Sequence, residues 1–303
     1  MTIAFDQVSY SYGQVIGLLQ TTLTVGPGVT GLLGPNGAGK STLMHLAVGQ
    51  LRPLHGQVTL NGKSPTSDPG VFQSVGLSPE QDAFYDEMTG REFLTFLGQF
   101  HGLDRATLTE RIARWATFFL EPVLDRPMAT LSLGQRQKIK LMQSLLHDPH
   151  ILIWDEPMTG LDPAMRSRLV EFLAERRTGS QTILISSHIL HELEQCTSHL
   201  IVMHQSRMVA YGTQAAIIEA MDRRPHRIEV CARDLRHLAQ ALVQLTHVSS
   251  VQVHERSLHV DTTDPPQTYG ALNQWGRSQR DATLTFRPVN QDLVSLFKDL
   301  VQP

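Results

Sequence analysis

The sequence VTGLLGPNGAGKSTLMHLAVGQLRP, residues 29–53, decides the fold of the chain around it. Residues 29–33 are mostly apolar and run straight into a loop rich in glycine, after which leucine and alanine recur at helical spacing as far as Pro53. A strand, a glycine loop and a helix in this order form the context in which a loop binds phosphate. A glycine-rich turn that matches by chance is the alternative. We predict that residues 34–42 bind the phosphates of a nucleotide.

The residue types of this loop indicate how it would bind phosphate. Glycines let backbone N–H groups approach phosphate oxygens closely, and the following helix presents its positive N-terminus. We expect Lys40 to reach the terminal phosphates, the Ser41 hydroxyl to bind Mg²⁺ and Thr42 to contact phosphate. The predicted phosphate-binding residues are Gly34, Pro35, Asn36, Gly37, Ala38, Gly39, Lys40, Ser41 and Thr42.

Beyond this loop, strand and helix patterns alternate along residues 151–203. This alternation predicts an α/β core with a largely parallel sheet. The predicted elements are a strand at Ile151–Trp154, a helix at Pro163–Arg176, a strand at Thr182–Ser186, a helix at Ile189–Cys196 and a strand at Leu200–Met203.

Between the glycine loop and these elements, residues 82–148 have a helical pattern. Three successive apolar stripes at helical spacing predict an inserted helical subdomain, and Ser132 is placed to cap its third helix. The apolar positions are Phe93, Phe96, Leu97 and Phe100, then Ile112, Trp115 and Phe119, then Ile139, Met142, Leu145 and Leu146.

The pattern changes again near residue 222. We assign residues 1–221 to the nucleotide-binding domain and residues 222–303 to a small C-terminal α+β domain. Its predicted order is βαββαβ, which is typical of ferredoxin-like domains. Asp264-Pro265-Pro266 is interpreted as a break before the second helix, and a last helix is predicted to carry Leu293, Leu296, Phe297 and Leu300.

The overall composition is that of an ordinary globular protein, with 41% hydrophobic and 18% charged residues and a formal net charge of -3. This charge gives no indication of a nucleic-acid partner. No apolar run approaches the ~20 residues that span a bilayer, and the first residues lack a signal-peptide pattern, so we expect the chain to stay in the cytoplasm. Cys196 and Cys231 predict no disulfide, and the 14 histidines show no metal-ligand spacing.

Three further motifs identify a family. Residues 131–135 read LSLGQ, residues 151–157 read ILIWDEP and residues 159–163 read TGLDP. With the glycine loop, these motifs stand in the order found in the ATP-binding subunits of ABC (ATP-binding cassette) transporters, which the chain resembles. The single cassette with an α+β extension is similar to the ATPase subunits of ABC-2-type exporters. The resemblance implies the cofactors ATP and Mg²⁺.

The residues that follow the two apolar strands are the candidate catalytic groups. Residues 151–154 would deliver Asp155 and Glu156 to the carboxyl end of a buried strand, where the ligands of α/β sheets bind. We expect Asp155 to hold the Mg²⁺ shell and Glu156 to polarise the attacking water, because hydrolysis needs that water aligned with the γ-phosphate. By resemblance, His188 is the switch histidine that contacts the γ-phosphate. In isolation, a solvated loop would be the favoured interpretation of such an acidic pair, and the order of the motifs favours the catalytic role instead.

Tyr12 is the candidate adenine-binding residue. The family places an aromatic ring just after its first strand, and stacking on a ring tolerates any base. Tyr10 is the alternative. We favour Tyr12.

The chain departs from the family pattern at two positions. Where the family has a glutamine near the metal, this chain has Glu80 followed by Gln81, and both remain candidates because both offer oxygen ligands. In the signature loop, residues 131–135, Leu133 replaces a glycine. Ser132, Gly134 and Gln135 are retained, and we expect them to reach ATP bound to a partner subunit. By resemblance, Asp162 belongs to the D-loop, which links the two nucleotide sites of a dimer.

The resemblance implies an ATPase subunit that drives transport, with export as the expected direction, through a separate membrane-spanning permease. Two copies would close around two nucleotides, so a homodimer peripheral to the cytoplasmic face of the membrane is expected. Four aromatic residues between positions 84 and 96 fall where the family docks its permease. That they simply form the core of the helical subdomain is an equal alternative. These residues are Phe84, Tyr85, Phe93 and Phe96.

A soluble ABC-type ATPase that acts on a ribosome or a nucleic-acid complex is the alternative function. By resemblance, ribosome-acting relatives carry two cassettes, and DNA-repair relatives insert a long coiled coil before the signature loop. Here there is one cassette, and residues 43–130 show no sustained heptads. A kinase or GTPase would not explain LSLGQ or His188.

Overall fold

The computed structural model describes residues 1–120, 123–217, 226–279 and 283–289, and the chain divides into two compact units, Met1–Gln214 and Ala215–Pro303. The predicted domain boundary between residues 221 and 222 lies outside the described residues. It therefore stays a prediction. We describe each unit by itself.

The core of the first unit is a mostly parallel sheet, as the alternation of strands and helices predicted. In the described residues its strand order is β5-β6-β7-β3-β8-β9, parallel throughout except for the antiparallel pair β8–β9. Strands β3, β6 and β7 are buried at every position, which explains why their sequences are almost continuously apolar. The strands are β3 (Gly28–Leu33), β5 (Val75–Ser78), β6 (Ile151–Trp154), β7 (Thr182–Ser187), β8 (His199–His204) and β9 (Arg207–Thr213).

A second, antiparallel sheet shares this core. Its strands in the described residues are ordered β2-β1-β4, with β1 at Ile3–Tyr12, β2 at Val15–Val25 and β4 at His55–Leu60. Buried side chains of β1 and β3 belong to one apolar cluster, which also contains Leu43 and Leu46 of helix α1 (Lys40–Ala47). Helix α1 ends well before Pro53. Gly49, at φ +67°, takes the left-handed conformation that commonly follows a helix.

Three helices form the predicted helical subdomain. They are α2 (Gly90–Phe100), α3 (Arg105–Phe119) and α4 (Leu133–Leu145). Each begins at a side-chain cap: Thr89 with Glu92 for α2, Asp104 for α3, and Ser132 with Gln135 for α4. Two helices of the core follow, α5 (Pro163–Ala174) and α6 (Leu190–Cys196).

Helix α4 covers the open edge of strand β5. The carbonyls of Ser74 and Ser78 accept hydrogen bonds from the β6 side, through His150 N and Asp155 N. The alternate carbonyls, those of Val75, Leu77 and Pro79, accept instead from side chains of α4 and of the residues just after it. These bonds are His147 Nε2 to Val75 O at 3.0 Å, Gln143 Nε2 to Leu77 O, and Lys140 Nζ to Pro79 O at 3.1 Å. An edge strand needs such cover, because its unpaired polar groups otherwise recruit other strands.

The second unit has the predicted βαββαβ order in its described residues. Its sheet is antiparallel, in the order β11-β12-β10-β13, which is the strand order of a ferredoxin-like domain. Helices α7 and α8 pack on the sheet through Leu238, Leu242 and Leu272. The elements are β10 (His226–Cys231), α7 (Leu235–Val243), β11 (Val248–Val253), β12 (Leu258–Thr262), α8 (Pro265–Gln279) and β13 (Thr285–Pro288).

Two predictions for this unit have different outcomes. The interpretation of Asp264-Pro265-Pro266 as a break before the second helix was correct for Asp264 and wrong for the two prolines, because β12 ends at Thr262 and α8 begins at Pro265. Proline is tolerated in the first helical turn, where its missing N–H would have no partner inside the helix. The predicted last helix, with Leu293 and Leu300, lies outside the described residues. Within the described ranges, no helix is both long and apolar enough to cross a membrane.

Candidate functional site

A cleft of about 380 Å³ opens at the carboxyl ends of β3 and β6. It brings together most residues of the predicted nucleotide site. Its lining residues are Tyr12, Val15, Ile16, Gly17, Pro35, Asn36, Gly37, Gly39, Lys40, Ser41, Thr42, Glu80, Asp155, Glu156 and Ser206. The parallel sheet explains this convergence, because the carboxyl ends of adjacent parallel strands lie at the same edge.

Lys40 is a buried cation in the wall of this cleft. Its Nζ donates to Gly34 O at 2.8 Å and Pro35 O at 3.4 Å, and it lies 3.7 Å from Glu156 Oε1. The ammonium therefore faces both the glycine loop and the acidic end of β6. Of the other predicted loop residues, Gly34 and Ala38 are buried and do not line the cleft.

The acidic pair is held by the neighbouring strand β7. Asp155 is 3% exposed, and its Oδ1 accepts from Ser186 Oγ at 2.5 Å. Glu156 Oε2 lies 3.0 Å from His188 Nδ1, while Glu156 Oε1 faces Lys40. His188 is half-exposed. The structure thus brings the predicted base and the predicted switch histidine into direct contact, although they are far apart in the sequence.

Tyr12, and not Tyr10, lines the cleft. Tyr12 is 48% exposed, and its hydroxyl lies 3.4 Å from Thr42 Oγ1, whereas Tyr10 packs against the apolar core. Sequence reasoning missed Val15, Ile16, Gly17 and Ser206. The first three belong to β2, which pairs with β1 next to Tyr12, so recognition of that hairpin would have found them.

Glu80 lines the cleft, and Gln81 does not. Lys140 of α4 fixes the segment that carries Glu80. The buried Lys140 Nζ donates to Glu80 O at 2.8 Å, in addition to Pro79 O, and forms an ion pair of 2.9 Å with Asp82, which also pairs with Arg136 at 2.9 Å. The backbone at the predicted metal-side position is therefore anchored to the helix that follows the signature loop.

The signature loop lies apart from the cleft, and its polar side chains stabilise the start of α4. Ser132 Oγ accepts from Gln135 N at 3.3 Å, and Gln135 Oε1 accepts from Ser132 N at 3.0 Å. This reciprocal pair is a capping box. None of Ser132, Gly134 and Gln135 lines the cleft that holds Lys40.

Asp162 caps α5 with a single side-chain hydrogen bond. Its Oδ1 accepts from Met165 N at 2.9 Å, and Lys138 Nζ lies 3.8 Å from its other oxygen. The Met165 N–H, together with the Lys138 charge, lowers the pKa of the Asp162 carboxyl. Asp162 is therefore held as an anion at a helix N-terminus, outside the cleft.

The substituted position in the signature loop is accommodated by a glycine. A Cβ on Gly160, at φ +76°, would come within 2.9 Å of Leu133 Cγ, and a Cβ on Gly134 would collide with Gly160 O. The loop of residues 131–135 and the segment before Asp162 thus pack closely in one chain. Leu133 itself stays half-exposed.

The aromatic residues of residues 84–96 line a groove of about 480 Å³ in the helical subdomain. Phe84 and Phe93 meet edge to face, with ring centroids 5.0 Å apart, and Phe93 is buried. Tyr85 is 58% exposed. Of the four aromatic residues, Phe93 is therefore core, Tyr85 is accessible, and Phe84 and Phe96 are half-buried.

The base of the same groove holds two stacked histidines. The rings of His101 and His147 lie 3.6 Å apart and nearly parallel. Burial, together with the nearby His101, lowers the pKa of His147 to about 4. Burial also lowers the pKa of His101. Both rings are therefore neutral at physiological pH.

Comparisons with known proteins find relatives both in sequence and in structure. The profile of the family described as ABC transporter matches residues 18–159. The ABC transporter ATP-binding protein NatA of Bacillus subtilis is 34% identical over 203 residues, which cover 66% of this chain and 82% of that protein. The Nod factor export ATP-binding protein I of Sinorhizobium fredii is 32% identical over 299 residues, covering 98% of this chain and 85% of that protein.

Solved structures show the same fold. A chain described as the ATP-binding subunit of an ABC transporter superimposes with a TM-score of 0.68 at 30% identity, covering 73% of this chain and 93% of its own length. A dimeric bacterial ABC transporter cassette superimposes with a TM-score of 0.64, covering 70% of this chain and 98% of its own. The latter is 17% identical and supports the fold alone.

Proposed function

The chain belongs to the ABC transporter family as an ATP-binding, ATP-hydrolysing subunit, and we propose that it works as a homodimer that drives export through a separate membrane-spanning permease. One observation carries the catalytic part of this proposal. The Glu156 carboxylate lies between Lys40 and His188, at the carboxyl end of β6, in the cleft formed by the glycine loop.

In this arrangement Glu156 is the general base. One carboxylate oxygen faces the ammonium of Lys40, which is expected to contact the terminal phosphates, and the other faces the His188 imidazole. A water held between Glu156 and the γ-phosphate would be oriented for in-line attack, with His188 fixing the position of the carboxylate. Tyr12 would stack on the adenine, and the glycine loop would bind the phosphates through its N–H groups.

Oxygen ligands suited to Mg²⁺ line the same cleft. Ser41 and Asp155 would hold the ion, and we assign the neighbouring position to Glu80, since Gln81 does not line the cleft. No group of three or more His, Cys, Asp or Glu side chains that could hold a metal occurs within the described ranges. This fits Mg²⁺, which in such sites takes one or two carboxylates and completes its shell with substrate phosphates and water. The bound ion would neutralise charge on the phosphates.

A homodimer follows from the location of the signature loop. Ser132 and Gly134 do not line the cleft of their own chain, so we infer that they complete the cleft of a second copy, with Asp162 linking the two sites. Two relatives named for Nod factor export match 98% and 97% of this chain, and this supports export as the direction. The groove that contains Tyr85 is the proposed contact with the permease, which would hold the subunit at the cytoplasmic face of the membrane.

Glu156→Gln tests the assignment of the base. The variant keeps the size and hydrogen-bonding shape of the side chain and removes its basicity, so turnover should fall at least ~100-fold while ATP still binds. It should also trap a nucleotide-bound dimer, measured as an ATP-dependent shift in size-exclusion chromatography with light scattering. Glu171→Gln, an exposed substitution on α5, is the control. Normal ATP turnover by Glu156→Gln would refute the assignment.

A further inference from the structure

Ser186 is a buried hydroxyl that contacts both residues of the acidic pair. It lies one residue before the end of β7 and is 0% exposed. Its Oγ lies 2.5 Å from Asp155 Oδ1 and 2.7 Å from Glu156 N. Because a backbone N–H only donates, the oxygen accepts from Glu156, and its single hydrogen is left for the Asp155 carboxylate. The direction of both bonds is thereby fixed.

The backbone of Glu156 explains why this contact matters. Glu156 has φ +48°, in the left-handed region that residues other than glycine rarely occupy. Its N–H points at Ser186 Oγ, and its carboxylate points at Lys40 and His188. A residue in such a conformation keeps it only when its surroundings hold it there, and in enzymes such strain clusters at functional sites.

We propose that Ser186 is a positioning residue for ATP hydrolysis, whose hydroxyl holds the Asp155 carboxylate and the Glu156 peptide in one fixed relation. The proposal rests on the roles assigned above to Asp155 and Glu156. The hydroxyl keeps one Asp155 oxygen occupied, which orients the carboxylate for the cation. It also holds the Glu156 peptide in the conformation that turns the base toward Lys40 and His188.

Ser144 provides a matched control. It is also a buried serine with two hydrogen bonds, accepting from Trp154 Nε1 at 2.8 Å and donating to Leu141 O at 2.7 Å. Trp154 directly precedes Asp155, so Ser144→Ala removes a buried hydroxyl from the neighbourhood of β6 and leaves the hydrogen bonds of Asp155 and Glu156 in place. A loss of general stability should therefore affect both alanine variants alike.

The kinetic test uses the full chain and compares Ser186→Ala, Ser186→Thr and Ser144→Ala. In Ser186→Ala, kcat should fall about 10- to 100-fold with little change in KM for ATP, because the base is misplaced while the phosphate loop is intact. Ser186→Thr retains the hydroxyl and should recover most of the lost activity. Ser144→Ala should keep kcat within about twofold of the parent chain, even if its melting temperature falls.

A binding measurement separates this proposal from the proposed function. In the Glu156→Gln background, Mn²⁺ is titrated in the presence of ATP and followed by electron paramagnetic resonance. Adding Ser186→Ala should weaken Mn²⁺ binding about 10-fold or more, because a metal ligand loses the hydrogen bond that orients it. The affinity for ATP, measured in EDTA, should stay within about twofold of the value for Glu156→Gln alone.

The outcomes are distinct. Parental kcat and parental Mn²⁺ affinity in Ser186→Ala would overturn the positioning role, as would equal kinetic losses in Ser186→Ala and Ser144→Ala. Turnover by Glu156→Gln would instead overturn the base assignment, and the Mn²⁺ titration would then still test the contact with Asp155.

Discussion

The polar side chains of the cleft and those of the signature loop have different partners. In the cleft, Lys40 at the start of α1 and the pair Asp155 and Glu156 after β6 turn their charged groups toward one space. In the signature loop, Ser132 and Gln135 bond to each other and to their own helix start. The cleft is thus arranged to bind a ligand with side chains of its own chain. The signature loop instead presents a rigid helix N-terminus outside that cleft. The difference favours two half-sites that are completed by a second copy.

Mixing two defective chains should give the largest effect, and it tests whether the cleft and the signature loop of different copies form one site. Lys40→Ala removes the ammonium that faces the phosphates, and Ser132→Arg places a bulky side chain at the start of α4, where the partner's nucleotide is proposed to bind. Each variant alone should therefore lose at least ~100-fold of its ATPase rate. If the sites are shared between copies, a mixed dimer contains one site free of both changes. Random pairing of equal amounts should then restore roughly a quarter of the parental rate.

The control for this experiment is each variant mixed with itself at the same total concentration, which should show no recovery. Sites completed within one chain would also show none in the mixed sample, because each chain would carry its own defect. ATPase rates of the mixed and unmixed samples therefore decide whether the two regions belong to one site or two.

Lys140→Met tests the connection between the two regions, because it removes the hydrogen bonds that join α4 to the segment carrying Glu80. Helix α4 begins at the signature loop, and its Lys140 holds the backbone at Pro79 and Glu80. Methionine fills similar volume but leaves two carbonyls and Asp82 without this donor, which should cost about 1–3 kcal/mol of unfolding free energy. The ATPase rate should fall about 3- to 10-fold as Glu80 loses its fixed position.

Urea denaturation and steady-state ATPase assays measure these two effects. Lys63→Met is the control, because Lys63 forms an exposed ion pair with Asp68 and should contribute less than about 1 kcal/mol. A Lys140→Met chain with parental stability and rate would show that α4 does not support the Glu80 segment.

The smallest expected effect is a pH dependence at the other end of α4. The His147 pKa of about 4 lies below the ordinary histidine value, so the unfolded chain binds a proton more readily. The neutral ring contributes its full share of the unfolding free energy at pH values above the pKa of histidine in the unfolded chain. This contribution falls as the pH drops from about 6.5 toward 4. His101, Arg111 and Asp148 are the charged or titratable groups that act on this ring.

His147→Gln should reduce this acid sensitivity. An amide can still donate to Val75 O but does not titrate, so the loss of unfolding free energy between about pH 7 and about pH 5 should shrink by about 1 kcal/mol, after allowance for solvent screening. Urea denaturation at both pH values provides the measurement. His191→Gln, at an exposed position, is the matched control for replacing a histidine by glutamine. An equal slope in His147→Gln would show that the ring does not control it.

Much of the core and of the cleft could be predicted because local sequence specifies both. The apolar runs of β3, β6 and β7 identify buried parallel strands, and the polar residues directly after them must lie at one edge of the sheet. The α/β class, the helical subdomain and the βαββαβ order of the second unit were predicted correctly. The helix caps at Ser132 and Asp162 are equally local.

The elements that were missed are those whose form depends on neighbours. Strand β5 has only four residues, too few to show a strand pattern in the sequence. Its form depends on β6, which pairs with one of its edges, and on α4, which covers the other. Strands β2 and β9 lie in antiparallel pairs, and β9 has no buried position, so neither shows the continuous apolar run of a buried strand. Val15, Ile16 and Ser206 enter the cleft through these strands and turns.

The sequence by itself determined the family, the phosphate loop and the acidic pair, because each is a short motif whose chemistry depends on adjacent residues. Only the tertiary structure decided that Glu80 and not Gln81 lines the cleft, that Lys140 holds its backbone, and that Ser186 joins Asp155 to Glu156. These contacts connect residues 30 or more positions apart. No local sequence pattern indicates contacts between residues so far apart. They form only when the elements at the sheet edge pack together.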